Sequence, residues 1–438
     1  MIRLDDLPKS TYLSFGKLRL NKNNKLIGIK EDRNFLKRLI KDFQQQAVDI
    51  KRVSKEIGIP RTLIYKTLSY KRKIRLEHLL KICSYLERNG IKKYSIDFLE
   101  KYLYSIESSR GGSIIPYLKE GNFLMRKFPF DFNTPEGVKC LTFPFGDGYI
   151  TKDYSGHVRI GYVNSNNDLH EEVFRCIRHT FGIVNHSKRK VSGAQEIYFT
   201  GILGQIYVES LGFITGSKVL RETYLNKILK ELKDPNLIGS CVSQFIDDEG
   251  HINAGGIYIA LSSGIKSSSK EKHTILDKEN MAPHVLKELR ELLNICNIHS
   301  TFRKPSNYYD KTLKKWKLMY YLNINGYYNF LRLWPLLNIN KGYLRSELKR
   351  KLYDFSLFIK QLEKTQKSKG YFTTNNISDV LDVSLGAARN YLRTLKKNKF
   401  VELIEKHHYT YHKGDYEFFQ DKYRINIPED LKRILYSF

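Results

Sequence analysis

Two largely apolar runs in the middle of the chain close in the same way. Residues 140–146 lead to Asp147-Gly148-Tyr149-Ile150, and residues 241–248 lead to Glu249-Gly250-His251-Ile252. In each, apolar positions of helical spacing give way to an acid, a glycine and a strand-like segment, the pattern of a buried helix turning sharply into a strand. The downstream succession is shared too. After Asp147, strands are predicted at 149–153 and 157–163, an amphipathic helix at 168–181, strands at 188–190 and 196–200, and a helix at 202–211. After Glu249 the same order is predicted: strands at 251–253 and 257–262, a helix at 284–297, strands at 301–304 and 315–324, and a closing helix at 327–334. One α/β unit used twice, each copy delivering one carboxylate to a shared place, accounts for the repetition.

The flanks have other patterns. Residues 1–105 read as mostly helical, with helices at 48–57 and 61–70 joined at Gly58-Ile59-Pro60, a basic run at 71–75 and a further helix at 76–86. Helix, tight glycine turn and helix resembles a phage-repressor type of helix-turn-helix, with Arg61 and Lys66 on the exposed second helix as DNA contacts. Residues 106–135, containing Ser108-Ser109-Arg110-Gly111-Gly112-Ser113, read as a linker. Beyond the central unit (136–355), residues 360–438 read as a separate winged helix. A helix near 372–381, a turn capped by Ser384, a helix at 385–398 displaying Arg389 and Arg393, and two strands are predicted there.

Composition narrows the partners. Lys and Arg outnumber Asp and Glu by 75 to 46, a net charge of +29. Phosphate polymers explain such an excess, because bound cations release counterions from nucleic acid. Hydrophobic residues make up 41%, enough for sizeable cores. No apolar stretch of about 18 residues occurs and the N-terminus lacks a signal-peptide core, so an intracellular protein with no membrane partner is expected. Five scattered cysteines, none in a Cys-x-x-Cys pair, indicate neither a disulfide framework nor structural zinc. The cluster His407, His408 and His412 reads as a polar strand or loop, and the Lys- and Ser-rich stretch around 264–280 as a long loop. The glycines before Lys218 lack the spacing of a phosphate loop, which argues against a nucleotide site.

The acids carry the chemistry. A carboxylate at a helix C-terminus meets the negative end of the helix dipole, and a second carboxylate beside it adds repulsion. A divalent cation neutralises both, and paired acids holding such ions act on phosphates.

At these residues the chain resembles the LAGLIDADG homing endonucleases of the single-chain, two-repeat kind. Val242-Ser243-Gln244-Phe245-Ile246-Asp247-Asp248-Glu249-Gly250 aligns with the nine-residue signature, and Phe145-Gly146-Asp147-Gly148-Tyr149-Ile150 matches the archaeal type. The resemblance covers about residues 135–355. It implies an α+β fold of two pseudo-symmetric αββαββα repeats, a monomer that binds double-stranded DNA, and Mg²⁺-dependent cleavage of both strands. Asp147 and Glu249 would be the catalytic, metal-holding acids. Lys218 and Lys341, just after the last helix of each repeat, would be basic residues beside them. Strands laid in the major groove would present Arg159, Lys188, Lys190, Arg303 and Lys317. Departures from the family are Thr142, Gln244 and Asp248, where small residues are usual, and Pro144, which is expected to kink the first helix. The rival expectations are a DNA-binding transcriptional regulator on an inactive nuclease scaffold, and an RNA-acting protein.

Overall fold

The computed structural model describes the chain apart from residues 16, 21–25, 30–32, 69–72, 109–111, 116–127, 192, 219–222, 254–255, 265–281, 304, 311–314 and 407–420. Most of the loop expected at 264–280, the start of the basic run at 71–75 and the His407 cluster lie outside the described residues.

The central unit is mixed α+β. Its first half runs through the helix Pro135–Thr142, strands Gly148–Lys152 and Val158–Asn164, the helix Asn167–Phe181, strands His186–Val191 and Ala194–Phe199, and a closing helix Gly201–Gln205 that continues as a π turn, Ile206–Ser210. The second half runs through the helix Pro235–Glu249, strands Gly250–Asn253 and Gly256–Gly264, the helix His284–Ile295, strands Ser300–Phe302, Ser306–Asp310 and Lys315–Ile324, and the helix Tyr327–Leu333. In the first sheet Gly148–Lys152 lies at one edge, then Val158–Asn164, Ala194–Phe199 and His186–Val191. In the second, Gly250–Asn253 is succeeded by Gly256–Gly264, Lys315–Ile324 and Ser300–Phe302, with Ser306–Asp310 also paired to Lys315–Ile324. All these pairings are antiparallel.

The two acid-bearing helices end differently, for a local reason. Thr134 caps the first by accepting from the Gly137 N–H at 3.1 Å, and Pro135 occupies its first turn. Pro144 has no N–H to offer, so the α ladder stops at Thr142 and the chain tightens into a 3₁₀ turn, Phe143–Phe145. The second helix has no interior proline and continues to Glu249 itself.

The flanks depart from the expected boundaries. The N-terminal unit is mostly helical, with Arg33–Gln46, Ile50–Ile57, Arg61–Leu68, Leu76–Arg88 and Ile96–Tyr102, but it also carries strands. Strands Tyr12–Phe15, Ile74–Arg75 and Leu103–Glu107 form a sheet, and Ser113–Ile115, inside the expected linker, extends it to pair with Ile183–Val184 of the first half. The N-terminal unit and the first half therefore share one sheet. At the other end, the expected division between 355 and 360 falls inside a single helix, Gly342–Lys369. Leu344, Leu348, Leu352, Phe355, Ile359 and Leu362 form its continuous buried stripe, and no Gly or Pro interrupts it before Gly370. The C-terminal elements pack back onto the second half. Tyr328 lies beside Phe400 with ring centroids 6.0 Å apart, and Trp334 beside Phe438 at 5.2 Å.

Two helix–turn–helix segments use the same local device. Ile50–Ile57 ends at Gly58, with φ +63°, and Arg61–Leu68 comes next. Thr374–Leu381 ends at Asp382, with φ +51°, and Leu385–Lys397 comes next. In both, the serine four residues before the left-handed position closes the turn. Ser54 Oγ donates to the Ile59 carbonyl at 2.7 Å, and Ser378 Oγ to the Val383 carbonyl at 2.5 Å. Strands Val401–Glu405 and Lys422–Ile425 pair beside the second of these. Buried side chains from Ile2 to Leu435 form one hydrophobic cluster. Among the described residues, no helix is long and apolar enough to cross a membrane.

Candidate functional site

The two acid-bearing helices meet near their C-terminal ends. Thr142 Oγ1 lies 3.5 Å from Cys241 Sγ, and the rings of Phe145 and Phe245 stack with centroids 6.4 Å apart. Gly146 makes the closest approach. A Cβ on it would fall 2.2 Å from an Asp248 carboxylate oxygen, so only glycine fits against that side chain.

This contact brings the acids expected from the sequence together. Asp147 and Glu249 are both half-buried. Burial raises the pKa of Asp147, opposed by a 2.6 Å hydrogen bond from Asn164 Nδ2 and by the charges of Lys341 and Lys218. Burial likewise pushes Glu249 up to about 7; Lys218 opposes the rise and Asp147 adds to it. The two acids and two lysines thus act on one another across the halves of the chain.

Lys218 and Lys341 are placed alike. Lys218 Nζ donates to the carbonyl of Gly146, just before Asp147, and to those of Gly148 at 2.9 Å and Phe145 at 3.3 Å. Lys341 Nζ donates to the carbonyl of Asp248, just before Glu249, at 3.5 Å. Each lysine therefore reaches the peptide preceding one acid. Burial lowers the pKa of Lys218, opposed by Glu249, Asp248 and Asp147.

Several neighbours do not stand out in the sequence. Asp247 accepts from the backbone N–H groups of Asn340 and Lys341, at 3.0 and 2.9 Å, and so fixes the segment that carries Lys341. Asp248 accepts from Tyr162 Oη at 2.6 Å and from Gln244 Nε2 at 3.0 Å. Its burial, reinforced by repulsion from Asp147, raises it to about 8. Lys139, only 2% exposed, donates to Glu172 at 2.6 Å and to the Asn338 carbonyl at 3.3 Å, tying the first helix to the end of the second half. The run of three acids at 247–249 is the visible signal for Asp247 and Asp248. Nothing local marks Tyr162 or Lys139.

Strand register sorts the expected DNA contacts. Opposed residues of antiparallel strands share a face. Lys188 lies opposite Ile197, which lies opposite the buried Tyr162, and its Nζ sits 4.9 Å from the Phe174 ring. Lys190, two residues on, shares that helix-covered side. Both lysines are nevertheless exposed, because their strand is the sheet's edge. The outer face instead presents Arg189, paired with Glu196, which also accepts from Tyr149 Oη. Arg159 lies on that outer face, 3.5 Å from Asp153. In the second sheet Arg303 stands 4.8 Å from the Tyr258 ring, which stacks on His251 at 4.8 Å. Lys317, on a central strand between Gly264 and Tyr308, is only 8% exposed. It is a covered position, not the open contact expected. Arg61, Lys66, Arg389 and Arg393 are exposed on the second helices of the two helix–turn–helix segments.

No family model matches the chain, and no curated protein matches it. Solved structures with a similar arrangement include mesophilic variants of the homing endonuclease I-DmoI, 11% identical, covering 49% of this chain and 97% of that one, with a TM-score of 0.32. The homing endonuclease I-WcaI bound to its DNA recognition sequence is 14% identical, covering 50% of this chain and 88% of that one, with a TM-score of 0.27. Full-length DUF199/WhiA from Thermatoga maritima is 10% identical, covering 62% and 94%, with a TM-score of 0.28. At these values no residue role is carried from them to this chain.

Proposed function

We propose that this chain is a sequence-specific, metal-dependent endonuclease of the LAGLIDADG homing type that cuts double-stranded DNA. One observation carries the reading. Asp147 and Glu249 follow the first helix of a similar helix–strand–strand succession in two halves of the chain, and they act on one another where burial opposes their ionisation, with Lys218 and Lys341 each reaching the peptide before one acid.

The donor set fits a magnesium-like ion shared with DNA. Among the described residues no group of three or more His, Cys, Asp or Glu side chains forms a protein-only metal cage. Mg²⁺ is commonly held by one or two carboxylates, with water and phosphate completing its octahedron. Asp147 and Glu249 are the residues that would hold it. Such an ion, when bound, lowers the pKa of water and stabilises the leaving oxygen of a phosphodiester. Asn164 orients the Asp147 carboxyl. Lys218 and Lys341 hold the peptides before the acids and place positive charge near the phosphate, where negative charge grows in the transition state. Arg159, Arg189 and Arg303 on the outer sheet faces engage the duplex, and the flanking segments with Arg61, Lys66, Arg389 and Arg393 extend the contact as a helix-turn-helix and a winged helix. The protein works as a monomer, since both halves of the site come from one chain.

The test is cleavage of a randomised duplex library in Mg²⁺ by the wild type and by Glu249→Gln. Specific double-strand breaks by the wild type alone support the reading. A second reading, a transcriptional regulator on an inactive scaffold, is favoured by the two matching helix–turn–helix segments. Tight sequence-specific binding by both proteins with no cleavage establishes that one instead.

A further inference from the structure

The strand Val158–Asn164 touches both acid-bearing segments. Asn164 Nδ2 donates to Asp147 Oδ2 at 2.6 Å, and the neighbouring Val163 N–H donates to the Asp147 carbonyl at 3.2 Å. Two residues before Asn164, Tyr162 Oη donates to Asp248 Oδ1 at 2.6 Å. Asp147 belongs to the first half and Asp248, the residue before Glu249, to the second. Residues two apart on a strand point to the same side, roughly 6.5 to 7 Å from one another. One strand therefore grips the first acid directly and the second through its chain neighbour.

The grip is built from buried groups. Tyr162 is fully buried and Asp248 is 8% exposed. The strand end is backed by His170, whose Nε2 lies 2.9 Å from the Asn164 carbonyl and whose ring meets Tyr162 edge-on, with centroids 5.3 Å apart. On its other side the Asp248 carboxyl abuts Gly146, next to Asp147. Gln244, which also donates to that carboxyl, sits on the same helix as Asp248. The Tyr162 bond crosses between the halves.

We propose that Tyr162, Asn164 and Asp248 are positioning residues, which together set where Asp147 stands relative to Glu249. This rests on the nuclease reading for what the two acids do, but the spacing itself is a property of these contacts. It also gives a physical account of Gln244 and Asp248, the departures from the small residues expected at the helix contact. Gln244 holds the Asp248 carboxyl, which takes the hydrogen bond from Tyr162 of the first sheet while Gly146 makes room for it.

Three measurements on the full chain test it: Mn²⁺ affinity without DNA, single-turnover cutting of each strand, and DNA affinity in Ca²⁺. Tyr162→Phe and Asp248→Ala are expected to weaken Mn²⁺ binding and slow cutting about tenfold or more, as loss of groups that orient metal-holding side chains does, while DNA affinity stays within about threefold. Asp248→Asn, which keeps an acceptor for Tyr162, recovers most of the loss. A merely structural role would lower the unfolding midpoint and leave Mn²⁺ affinity at the wild-type value in the folded variants; that result overturns the proposal. If the wild type neither binds Mn²⁺ nor cuts DNA, the nuclease reading falls by itself. The link is then judged by a double-mutant cycle of Tyr162→Phe with Asp248→Ala in urea unfolding. Coupling supports it and simple additivity overturns it.

Discussion

Asp248 and Glu249 are adjacent carboxyls raised to about 8 and about 7 by burial. A carboxyl whose pKa rises on folding holds its proton more firmly in the folded chain than in the unfolded one. Folding then takes up protons, so stability is greatest near the ordinary carboxylate range and falls as pH climbs through the raised values. The urea midpoint is expected to drop between about pH 5 and pH 8, and Glu249→Gln to flatten the drop. Mg²⁺ added at the upper pH should restore part of the loss, since a cation held by the folded site favours the charged acids. A Glu249→Gln chain whose midpoint changes over that range just as the wild type's does contradicts the buried placement. At this scale Asp147 and Glu249 are legible in the sequence, because repetition picks out matching positions, while Lys218 and Lys341 stand out only through the family resemblance. Tyr162 and Asn164 are not, because nothing in a strand pattern says which distant helix end it will meet.

At the scale of elements, the crossing of the two helices depends on Gly146. In Gly146→Ala the new methyl meets Asp248 and the helices must separate, at a cost of about 1–3 kcal/mol for overpacking. Chemical denaturation measures the loss, and Mn²⁺ affinity should fall with it. Register decides a second matter. Arg189→Ala should weaken DNA binding and lower the slope of log affinity against log salt by about one, while Lys190→Ala changes the slope less. In the sequence Lys188, Arg189 and Lys190 are equivalent candidates, because alternation marks two faces without saying which one lies against a helix. Only the pairing with Ile197 and the packing of Phe174 assign Arg189 to the open side. Pro144, by contrast, acts as its chemistry dictates, since a missing N–H ends an α ladder in any surroundings.

At the scale of the whole molecule, the flanking units are built into the central one. The shared sheet through Ser113–Ile115 joins the N-terminal unit to the first half, and the helix Gly342–Lys369 joins the second half to the C-terminal unit. A chain ending at residue 355 loses Phe358, Ile359 and Leu362 from the buried stripe and uncovers Tyr328 and Trp334. It is expected to unfold at lower temperature than the full chain and to aggregate, as differential scanning calorimetry and sedimentation would record. Independent melting of an unperturbed central unit would contradict this. The stripe is visible in the sequence as apolar positions three and four apart, but the polar residues after 359 imitate a boundary.

The sequence by itself determined the repeated helix–strand units, the two acids that follow their first helices and the basic character of the chain. These arise from local periodicity, glycine and proline stereochemistry and charge, which need no partner to act. Tertiary structure alone decided which strand faces are open, that Asp248 is held by Tyr162, and that the flanks are continuous with the centre. Those depend on register and on burial between segments far apart in the chain, where one residue of slip reverses a face and one contact changes the charge a carboxyl can carry.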